Sequence, residues 1–352
     1  MNPTEKKLPL ELERYSRQIR FAPLGETGQR RLQSATALVI GCGALGSVIC
    51  NTLARAGVGR LRIVDRDFVE ISNLQRQVLY DEQDVENHLP KSIAAAGKLR
   101  LINSTIQIEP MVADVDAGNI ETMLDGVGVI LDGTDNFEIR FLINDVSVKH
   151  RIPWVYGGCL GADGQTMTII PEDTACLNCL MLDGPPPPGT TPTCDSFGIL
   201  AAIIQVIASL QANEAIKILS GNVAAVSRQL TFFSLWDNQL RQMDVSRLRD
   251  RVDCPTCRQR IFSWLEGTRM SHNAVLCGRN AVQLSQSNSD RISLEALAAR
   301  LRGLGRVEQN QFLLKFFVDQ YTITVFPDGR AIVSGTDEIA IARKLYVQYV
   351  GA

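Results

Sequence analysis

Short apolar runs alternate with helical patterns over the first 150 residues of the chain. Thr36–Ile40 is an apolar run that stops at the sequence GCGALG, and Val48–Ala56 then has helical spacing that ends at Gly57. Further predicted strands and helices alternate in the order 61–64, 91–101 (helix), 105–108, 127–131 and 138–150 (helix). This alternation predicts an α/β fold with a parallel, doubly wound sheet.

The pattern changes beyond Pro153, where one long predicted helix, Phe197–Leu219, is the main interruption among strands. These strands are predicted at 154–158, 166–170, 230–235 and 241–245. We expect them to extend the first sheet, which gives a Rossmann-like mixed sheet overall. The sequence DGPPPPGTTPT between Leu182 and Cys194 cannot form a helix or a central strand, so it predicts an extended, exposed loop.

The two ends of the chain have patterns of their own. A polar N-terminal arm precedes the first strand, and we expect it to be helical. A unit that begins near Cys277 has short strands around a helix at Leu294–Leu301, a turn at Pro327–Gly329 and a final helix. We therefore predict a large first domain at 1–262, a linker at 263–276 and a small α+β domain at 277–352.

Composition and charge exclude several classes of protein. The net charge is -2 and the isoelectric point is about 6.0, so no basic surface for nucleic acid is predicted. The first twenty residues have no apolar core of signal-peptide length, and the apolar stretch Ile199–Leu210 is too short to span a bilayer. We expect a cytoplasmic protein that binds neither membrane nor nucleic acid.

The GCGALG sequence follows a predicted strand and opens a predicted helix, which is the context of a nucleotide-binding turn. Its glycines allow backbone amides to approach phosphate, and Asp65, about 20 residues further on, can accept hydrogen bonds from a ribose. The residues predicted to bind nucleotide in this turn are Gly41, Gly43, Ala44, Leu45 and Gly46. A merely structural glycine-rich turn is the weaker interpretation.

The segments DRDFVEISNLQRQ and PKS favour ATP over a dinucleotide. They supply cationic and polar side chains that can neutralise a triphosphate, whereas a pyrophosphate between two nucleosides needs few cations. The candidate ligands from these segments are Asp67, Asn73, Arg76, Gln77 and Lys91. A nicotinamide-dependent oxidoreductase is the competing function, because it shares the glycine turn.

The sequence DGTDN ends the predicted strand 127–131 and places three polar residues at the carboxyl edge of the sheet. Asp135 is the candidate Mg²⁺ ligand, because hard carboxylate oxygen suits this ion, and Asn136 is a candidate nucleotide ligand. A simpler interpretation is that residues 132–136 only cap the helix that begins near Phe137.

Nine cysteines include two C-x-x-C pairs in a chain expected to be reduced. The four thiols of Cys176, Cys179, Cys254 and Cys257 predict a closed structural zinc site, although more than seventy residues separate the pairs. Cys194 precedes a helix start and is the candidate nucleophile, although it could equally be a small loop residue without chemistry. We expect burial for Cys42, Cys50 and Cys159, and we favour burial over sulfur transfer for Cys277.

Several motifs in order resemble the ThiF/MoeB branch of the ubiquitin-activating-enzyme family over about residues 10–260. They are RYSRQ at 14–18, GCGALG, DRDFVEISNLQRQ, PKS, DGTDN, the two C-x-x-C pairs and Thr193-Cys194-Asp195. The resemblance implies an adenylyltransferase that uses ATP and Mg²⁺ to activate the C-terminal Gly-Gly carboxylate of a ubiquitin-fold sulfur carrier. It further implies a thiamine or molybdopterin type of pathway, with a sulfurtransferase or a cysteine desulfurase as an additional candidate partner.

The same resemblance assigns roles to single residues. It implies a homodimer in which Arg17 reaches the phosphates of the neighbouring subunit, while Arg76 and Lys91 bind phosphate within the subunit. It makes Asp65 the ribose ligand and Asp135 the Mg²⁺ ligand. The C-terminal sequence CGRNAVQL has no recognisable rhodanese loop, so sulfur transfer within this chain is not expected. Two more functions, a non-catalytic adaptor and a tRNA-modifying dehydratase, explain the motifs less well.

Overall fold

The computed structural model describes residues 9–182, 184–185, 197–269, 273–276, 280–284 and 292–351. The chain divides into two compact units, the first made of Met1–Pro186 with Gly198–Arg269, and the second of Pro187–Phe197 with Met270–Ala352. The domain boundaries predicted at 262 and 277 stay a prediction.

One eight-stranded sheet organises the first unit. Its strands are β1 (Thr36–Ile40), β2 (Arg60–Asp65), β3 (Gln107–Val112), β4 (Val127–Asp132), β5 (Trp154–Leu160), β6 (Asp163–Ile169), β7 (Gln229–Ser234) and β8 (Gln239–Asp244). They are ordered β3-β2-β1-β4-β5-β6-β7-β8, with β1 to β5 parallel and β6 to β8 antiparallel. The predicted Rossmann-like mixed sheet is confirmed, and the strands beyond Pro153 do extend it.

Helices flank this sheet and are preceded by short helices of the N-terminal arm. They are α1 (Leu10–Glu13), α2 (Ser16–Ile19), α3 (Gly25–Ser34), α4 (Ala44–Ala56), α5 (Glu82–Glu86), α6 (Lys91–Ile102), α7 (Phe137–His150), α8 (Leu177–Leu180), α9 (Ala201–Ser220) and α10 (Leu248–Arg251). The predicted N-terminal helical arm is present in the residues described. Apolar side chains of α4, α6 and α9 pack with those of the central strands in one core.

The long helix α9 runs through this core. Its 20 residues are long and apolar enough to cross a membrane by length and composition alone, so the expectation that the apolar stretch is too short was wrong. However, Ile203, Ile207 and Ala212 are fully buried, and Ile207 fills the space that a side chain at Gly164 would occupy. The core-helix interpretation therefore rests on packing against the sheet and not on length.

Several predicted boundaries differ from those observed by a few residues, and two of the differences have clear local reasons. β3 begins at Gln107 and not at Thr105, because the side chain of Asn103 accepts hydrogen bonds from both the backbone N–H and the hydroxyl of Thr105. α9 begins at Ala201 and not at Phe197, because the segment before it pairs with Gly161 through Ile199. In both cases a backbone group that would have continued the strand or the helix instead bonds to another partner.

The second unit is a small antiparallel sheet with two helices. Its strands are β9 (Asn273–Leu276), β10 (Ala281–Leu284), β11 (Arg306–Gln309), β12 (Leu314–Val318), β13 (Tyr321–Val325) and β14 (Ala331–Ser334), and its helices are α11 (Leu294–Leu301) and α12 (Ile339–Tyr349). The order is β11-β12-β13-β14-β10-β9. Buried Leu297, Phe316 and Tyr346 join the helices to the sheet, which confirms the predicted α+β character. Cys277 lies outside the described residues.

Candidate nucleotide site and cysteine cluster

The predicted phosphate turn connects β1 to α4 and packs too closely for side chains. A Cβ at Gly46 would lie 1.9 Å from the carbonyl oxygen of Gly41, and a Cβ at Gly133 would lie 2.2 Å from the same atom. Gly41 itself has a φ of +85°, which favours glycine. The loops after β1 and β4 therefore touch through their backbones, and the N-terminus of α4 faces the carboxyl edge of the sheet.

Asp65, at the end of β2, is fixed against this turn. Its carboxylate accepts hydrogen bonds from the backbone N–H of Cys42 at 2.6 Å and from that of Asp67 at 2.7 Å. Burial raises the pKa of this carboxyl group, while the neighbouring cation of Lys91 acts in the opposite direction. An oriented carboxylate one strand away from a glycine turn is the arrangement expected of a ribose ligand.

Lys91 is brought to the same edge by the start of α6. Its ammonium lies 3.1 Å from a carboxylate oxygen of Asp67, and only 5% of the Lys91 side chain is exposed. The hydroxyl of Tyr80 donates to the carbonyl oxygen of Cys42 at 2.6 Å and also lies 3.2 Å from that of Lys91. Tyr80 thus ties the glycine turn to α6, a role that the sequence analysis missed because its partners are backbone atoms.

Gln77 provides an observation that fits a bound ligand. Its side-chain oxygen is buried and has no hydrogen-bond partner within the described part of the chain, and its nitrogen lies 3.8 Å from the Cβ position of Gly43. Buried polar atoms without partners are rare in folded proteins and call for an explanation. A ligand over the glycine turn that brings a hydrogen-bond donor or a cation, such as the ribose hydroxyls or the metal ion of a bound nucleotide, would supply one.

Two other predicted ligands of the segment 65–77 make only local contacts. Asn73 is buried and accepts a hydrogen bond from the backbone N–H of Glu70 at 3.2 Å. The guanidinium of Arg76 donates to the carbonyl oxygen of Ser72, one turn earlier, at 2.8 Å. Neither contact brings these side chains into the Asp65–Lys91 cluster, so their roles stay predictions.

The DGTDN segment is held by a buried ion pair that the sequence analysis did not identify. Arg140, on α7, lies 3.0 Å from the carboxylate of Asp132, and it also donates to the carbonyl oxygens of Thr134 at 2.6 Å and Gly157 at 3.1 Å. Asp132 is fully buried, and this burial raises its pKa although the Arg140 cation acts to lower it. The signal available in the sequence was an arginine between the apolar residues Ile139 and Phe141 in the first turn of a helix.

The side chains of three predicted site residues make no hydrogen bond to this ion pair within the described part of the chain. Asp135 is exposed, and Asn136 caps α7 by accepting a hydrogen bond from the backbone N–H of Glu138 at 2.8 Å. The capping interpretation is therefore correct for Asn136. Arg17 is exposed on α2 and has no hydrogen bond or ion pair with the other predicted ligands among the residues described.

The two C-x-x-C pairs meet in one cluster. The four sulfur atoms of Cys176, Cys179, Cys254 and Cys257 all lie within 4.8 Å of one another, and three Sγ–Sγ distances are 3.8, 3.5 and 3.4 Å. A tetrahedron with Zn–S bonds of about 2.3 Å has edges of about 3.8 Å. The cluster therefore fits zinc in a closed, four-thiolate site. The hydrogen bond to Cys179 is the main cause of the raised pKa of Cys176, and the one to Cys176 is the main cause of the lowered pKa of Cys254.

Helix α7 holds both cysteine segments from one side. The side chain of Asn144 accepts a hydrogen bond from the backbone N–H of Leu177 at 2.8 Å, and the Thr256 hydroxyl donates to Asp145 at 3.2 Å. Burial raises the pKa of Asp145 to about 6, although backbone N–H groups of Trp264 and Leu265 stabilise its charge. These long-range contacts position the four thiols without help from a disulfide.

The other cysteines divide into two groups. Cys42 and Cys50 are fully buried, and burial raises the pKa of the Cys50 thiol well above its usual range, which agrees with inert core residues. Cys159 is only partly buried, so it is not a full core residue as predicted. Cys194 lies outside the described residues, and its role as nucleophile stays a prediction.

Comparison with known proteins gives matches over most of the chain. The model of the ThiF family matches residues 15–256. The chain is 42% identical over 339 residues to a "Sulfur carrier protein ThiS adenylyltransferase" of Bacillus subtilis, covering 96% of this chain and 99% of the relative. It is 35% identical over 252 residues to a "Sulfur carrier protein adenylyltransferase" of Thermus thermophilus, covering 70% of this chain and 91% of the relative.

Among solved structures, the fold is similar to that of MccB of Escherichia coli with ATP. The TM-score is 0.59 at 22% identity, and the similarity covers 73% of this chain and 75% of that chain. At this identity the likeness supports the fold only.

Proposed function

The chain belongs to the ThiF family, and from that premise we propose that it is the adenylyltransferase for a ubiquitin-fold sulfur carrier of the ThiS type. Adenylation of a ubiquitin-fold sulfur carrier follows from the relatives that match the first unit. The ThiS type is supported by one observation, which is that the similarity to the ThiS adenylyltransferase extends along nearly the whole chain at 42% identity and so includes the second unit. The nicotinamide-dependent function is set aside, because these relatives are adenylyltransferases.

The proposed reaction transfers the adenylyl group of ATP to a carrier carboxylate. An oxygen of the carrier's C-terminal carboxylate attacks the α-phosphorus, the bond to the β-phosphate oxygen breaks, and pyrophosphate leaves. With a pKa of about 3.3 to 3.7 the carboxylate is already ionised near neutral pH, so no general base is required. The chain has only three histidines, none of them in these motifs. The catalytic task is then to bind, orient and neutralise charge.

In this proposal the residues at the carboxyl edge of the sheet each bind a different part of the nucleotide. Gly41–Gly46 carries the phosphates on backbone amides, Asp65 accepts from the ribose, and Lys91 neutralises phosphate charge by leaving its partner Asp67. Support for this assignment is the orphaned oxygen of Gln77 beside the glycine turn. Asp135 would hold Mg²⁺, which would neutralise charge on the phosphates and the departing pyrophosphate.

The test of this function is carrier-dependent exchange of radioactive pyrophosphate into ATP. We expect exchange with a ThiS-type carrier ending in Gly-Gly, and at least tenfold slower exchange with a molybdopterin-type carrier. A carrier truncated by its last glycine is the control, because it has the same fold but lacks the extended tail. Equal or faster exchange with the molybdopterin-type carrier would refute the ThiS assignment, and no exchange with either carrier would refute the function.

We further propose a homodimer in which Arg17 of one subunit completes the site of the other. Its exposure on the N-terminal arm, away from the Asp65–Lys91 cluster, fits a role across a subunit boundary. Arg17→Ala and Lys91→Ala should each be nearly inactive, because an arginine supplied in trans contributes about 10³ or more in rate to phosphoryl-transfer enzymes. Mixed heterodimers should recover activity through one intact site. Verified heterodimers without activity would contradict a shared site.

Two further roles belong to the cysteines. We propose that the four-thiolate cluster binds one structural zinc. We also propose that the Cys194 thiolate attacks the carbonyl carbon of the carrier's acyl-adenylate, so that a thioester forms and AMP leaves. Cys194→Ala should then keep pyrophosphate exchange, because adenylation uses the carrier's own carboxylate, and should lose any carrier adduct that a thiol reagent cleaves. A cytoplasmic location, and a sulfurtransferase or cysteine desulfurase as the next partner, complete this proposal.

A further inference from the structure

An ion pair at the ends of β2 and β3 has no part in the roles assigned above. The guanidinium of Arg66 lies 3.0 and 3.2 Å from the two carboxylate oxygens of Asp114, and 3.8 Å from the carboxylate of Asp67. Arg66 directly follows Asp65, and Asp114 lies two residues beyond the last residue of β3. The pair therefore stands at the carboxyl edge of the sheet, where ligands bind in doubly wound folds.

The order of the strands places this pair relative to the nucleotide. The strands run β3-β2-β1, with the glycine turn after β1 and Asp65 at the end of β2. Neighbouring strands are about 4.8 Å apart, so a step from phosphate to ribose corresponds to a step of one strand along this edge. The base is attached to the ribose on the side away from the phosphates. It should therefore extend towards β3, where Arg66 meets Asp114.

The chemistry of the pair suits a flat, uncharged aromatic partner. Asp114 and Asp67 hold the Arg66 guanidinium from two sides, and the side chains of Arg66 and Asp114 are 26% and 27% exposed. Burial alone would lower the pKa of Arg66, but the carboxylates of Asp114, Asp67 and Asp135 raise it. A guanidinium fixed in one plane and still accessible can stack on the face of a heteroaromatic ring.

We propose that Arg66, oriented by Asp114, forms the wall on which the nucleobase stacks and so determines the preference of the site for a purine. This inference rests on the proposed ATP-dependent function. It assigns Arg66 to specificity and binding, and leaves the chemical step to Lys91 and its neighbours. Asp114 is a positioning residue that acts through Arg66.

The chain offers a matched control on the same two strands. Arg62 and Glu109 face each other across β2 and β3 and form an ion pair at 2.9 Å, four residues earlier than Arg66. This pair has the same chemistry but lies away from the carboxyl edge. Its substitution should leave nucleotide binding unchanged.

The test measures binding of ATP-Mg and CTP-Mg to the full chain by isothermal titration calorimetry, without carrier. In Arg66→Met we expect the dissociation constant for ATP to rise about tenfold while that for CTP changes less than threefold, because a purine has the larger stacking face. Arg66→Lys should resemble Arg66→Met, since it keeps the charge and loses the plane. Asp114→Asn should weaken ATP binding in the same direction but less, and Arg62→Met and Glu109→Gln should bind as the wild type.

The outcomes separate this inference from the proposed function. Carrier-dependent turnover at subsaturating ATP should fall in Arg66→Met in proportion to its weaker ATP binding, whereas the control Arg62→Met should turn over as the wild type. Equal weakening of ATP and CTP, unchanged ATP binding, or full rescue by Arg66→Lys would overturn the stacking role. Wild-type protein that binds ATP but fails in exchange would refute the proposed function while leaving the calorimetric comparison intact. Zinc content and thermal unfolding would show that each variant is folded.

Discussion

Breaking the buried ion pair between Asp132 and Arg140 should strongly lower the unfolding free energy of the first unit. The two charged groups lie 3.0 Å apart, with Asp132 fully buried and 8% of the Arg140 side chain exposed. At this distance and an effective dielectric constant of about 20, the attraction is about 5 kcal/mol before desolvation is counted. Arg140→Met leaves a buried carboxylate without its cation, and such changes cost about 3 to 5 kcal/mol.

The assay is urea unfolding of Arg140→Met, Asp132→Asn and the double variant, followed by circular dichroism. We expect Arg140→Met to lose about 3 to 5 kcal/mol of unfolding free energy, and Asp132→Asn to recover about 1 to 3 kcal/mol of that loss in the double variant. Arg228→Met, which removes an exposed partner of Asp173, should cost about 0 to 1 kcal/mol. Additive effects of the two buried substitutions would refute the direct coupling.

The pH dependence of the same variant gives a second check. Burial already raises the pKa of Asp132, and removal of Arg140 should raise it further. A carboxyl group whose folded-state pKa lies above its unfolded value supports folding when protonated and loses that support as pH rises. The deficit of Arg140→Met should therefore be smaller at pH 5 than at pH 8. A deficit that grows towards acid pH would contradict an ionised, unpaired Asp132 as its cause.

Three further predictions concern separate parts of the first unit. Cys176→Ser should reduce zinc from about one ion per chain to near zero and lower the melting temperature, and unchanged metal content would exclude the four-thiolate site. Asp145→Asn should gain stability over wild type as pH rises from 4 to 7, by up to about 3 kcal/mol for a pKa raised to about 6, since the amide carries no buried charge and its oxygen can still accept from the backbone N–H groups of Trp264 and Leu265; a pH-independent difference would argue against this. Gly46→Ala should abolish calorimetric ATP binding while zinc is retained, because its Cβ would lie 1.9 Å from the carbonyl oxygen of Gly41.

The alternation of strands and helices predicted the sheet well because each element carries its own apolar pattern. The strand β1 was located to the residue, since burial on both faces makes a continuous apolar run, whereas the predicted glycine turn includes Ala44–Gly46, which already belong to α4. Element ends were predicted less well, as at Gln107, because they depend on side-chain caps. The sequence could predict that Asp65, Asp67 and Lys91 lie at the same edge of the sheet. It could not predict the ion pair between Lys91 and Asp67.

The residues that the sequence analysis missed share one physical property, which α7 illustrates. Arg140, Asn144 and Asp145 lie within one helix and are nearly or fully buried. Arg140 binds the segment after β4, and one turn later Asn144 and Asp145 bind the two cysteine segments. Burial of such side chains is costly unless partners satisfy them. Each therefore predicts a contact with a distant segment, but the helical pattern cannot name that segment, because the partner comes from another part of the fold.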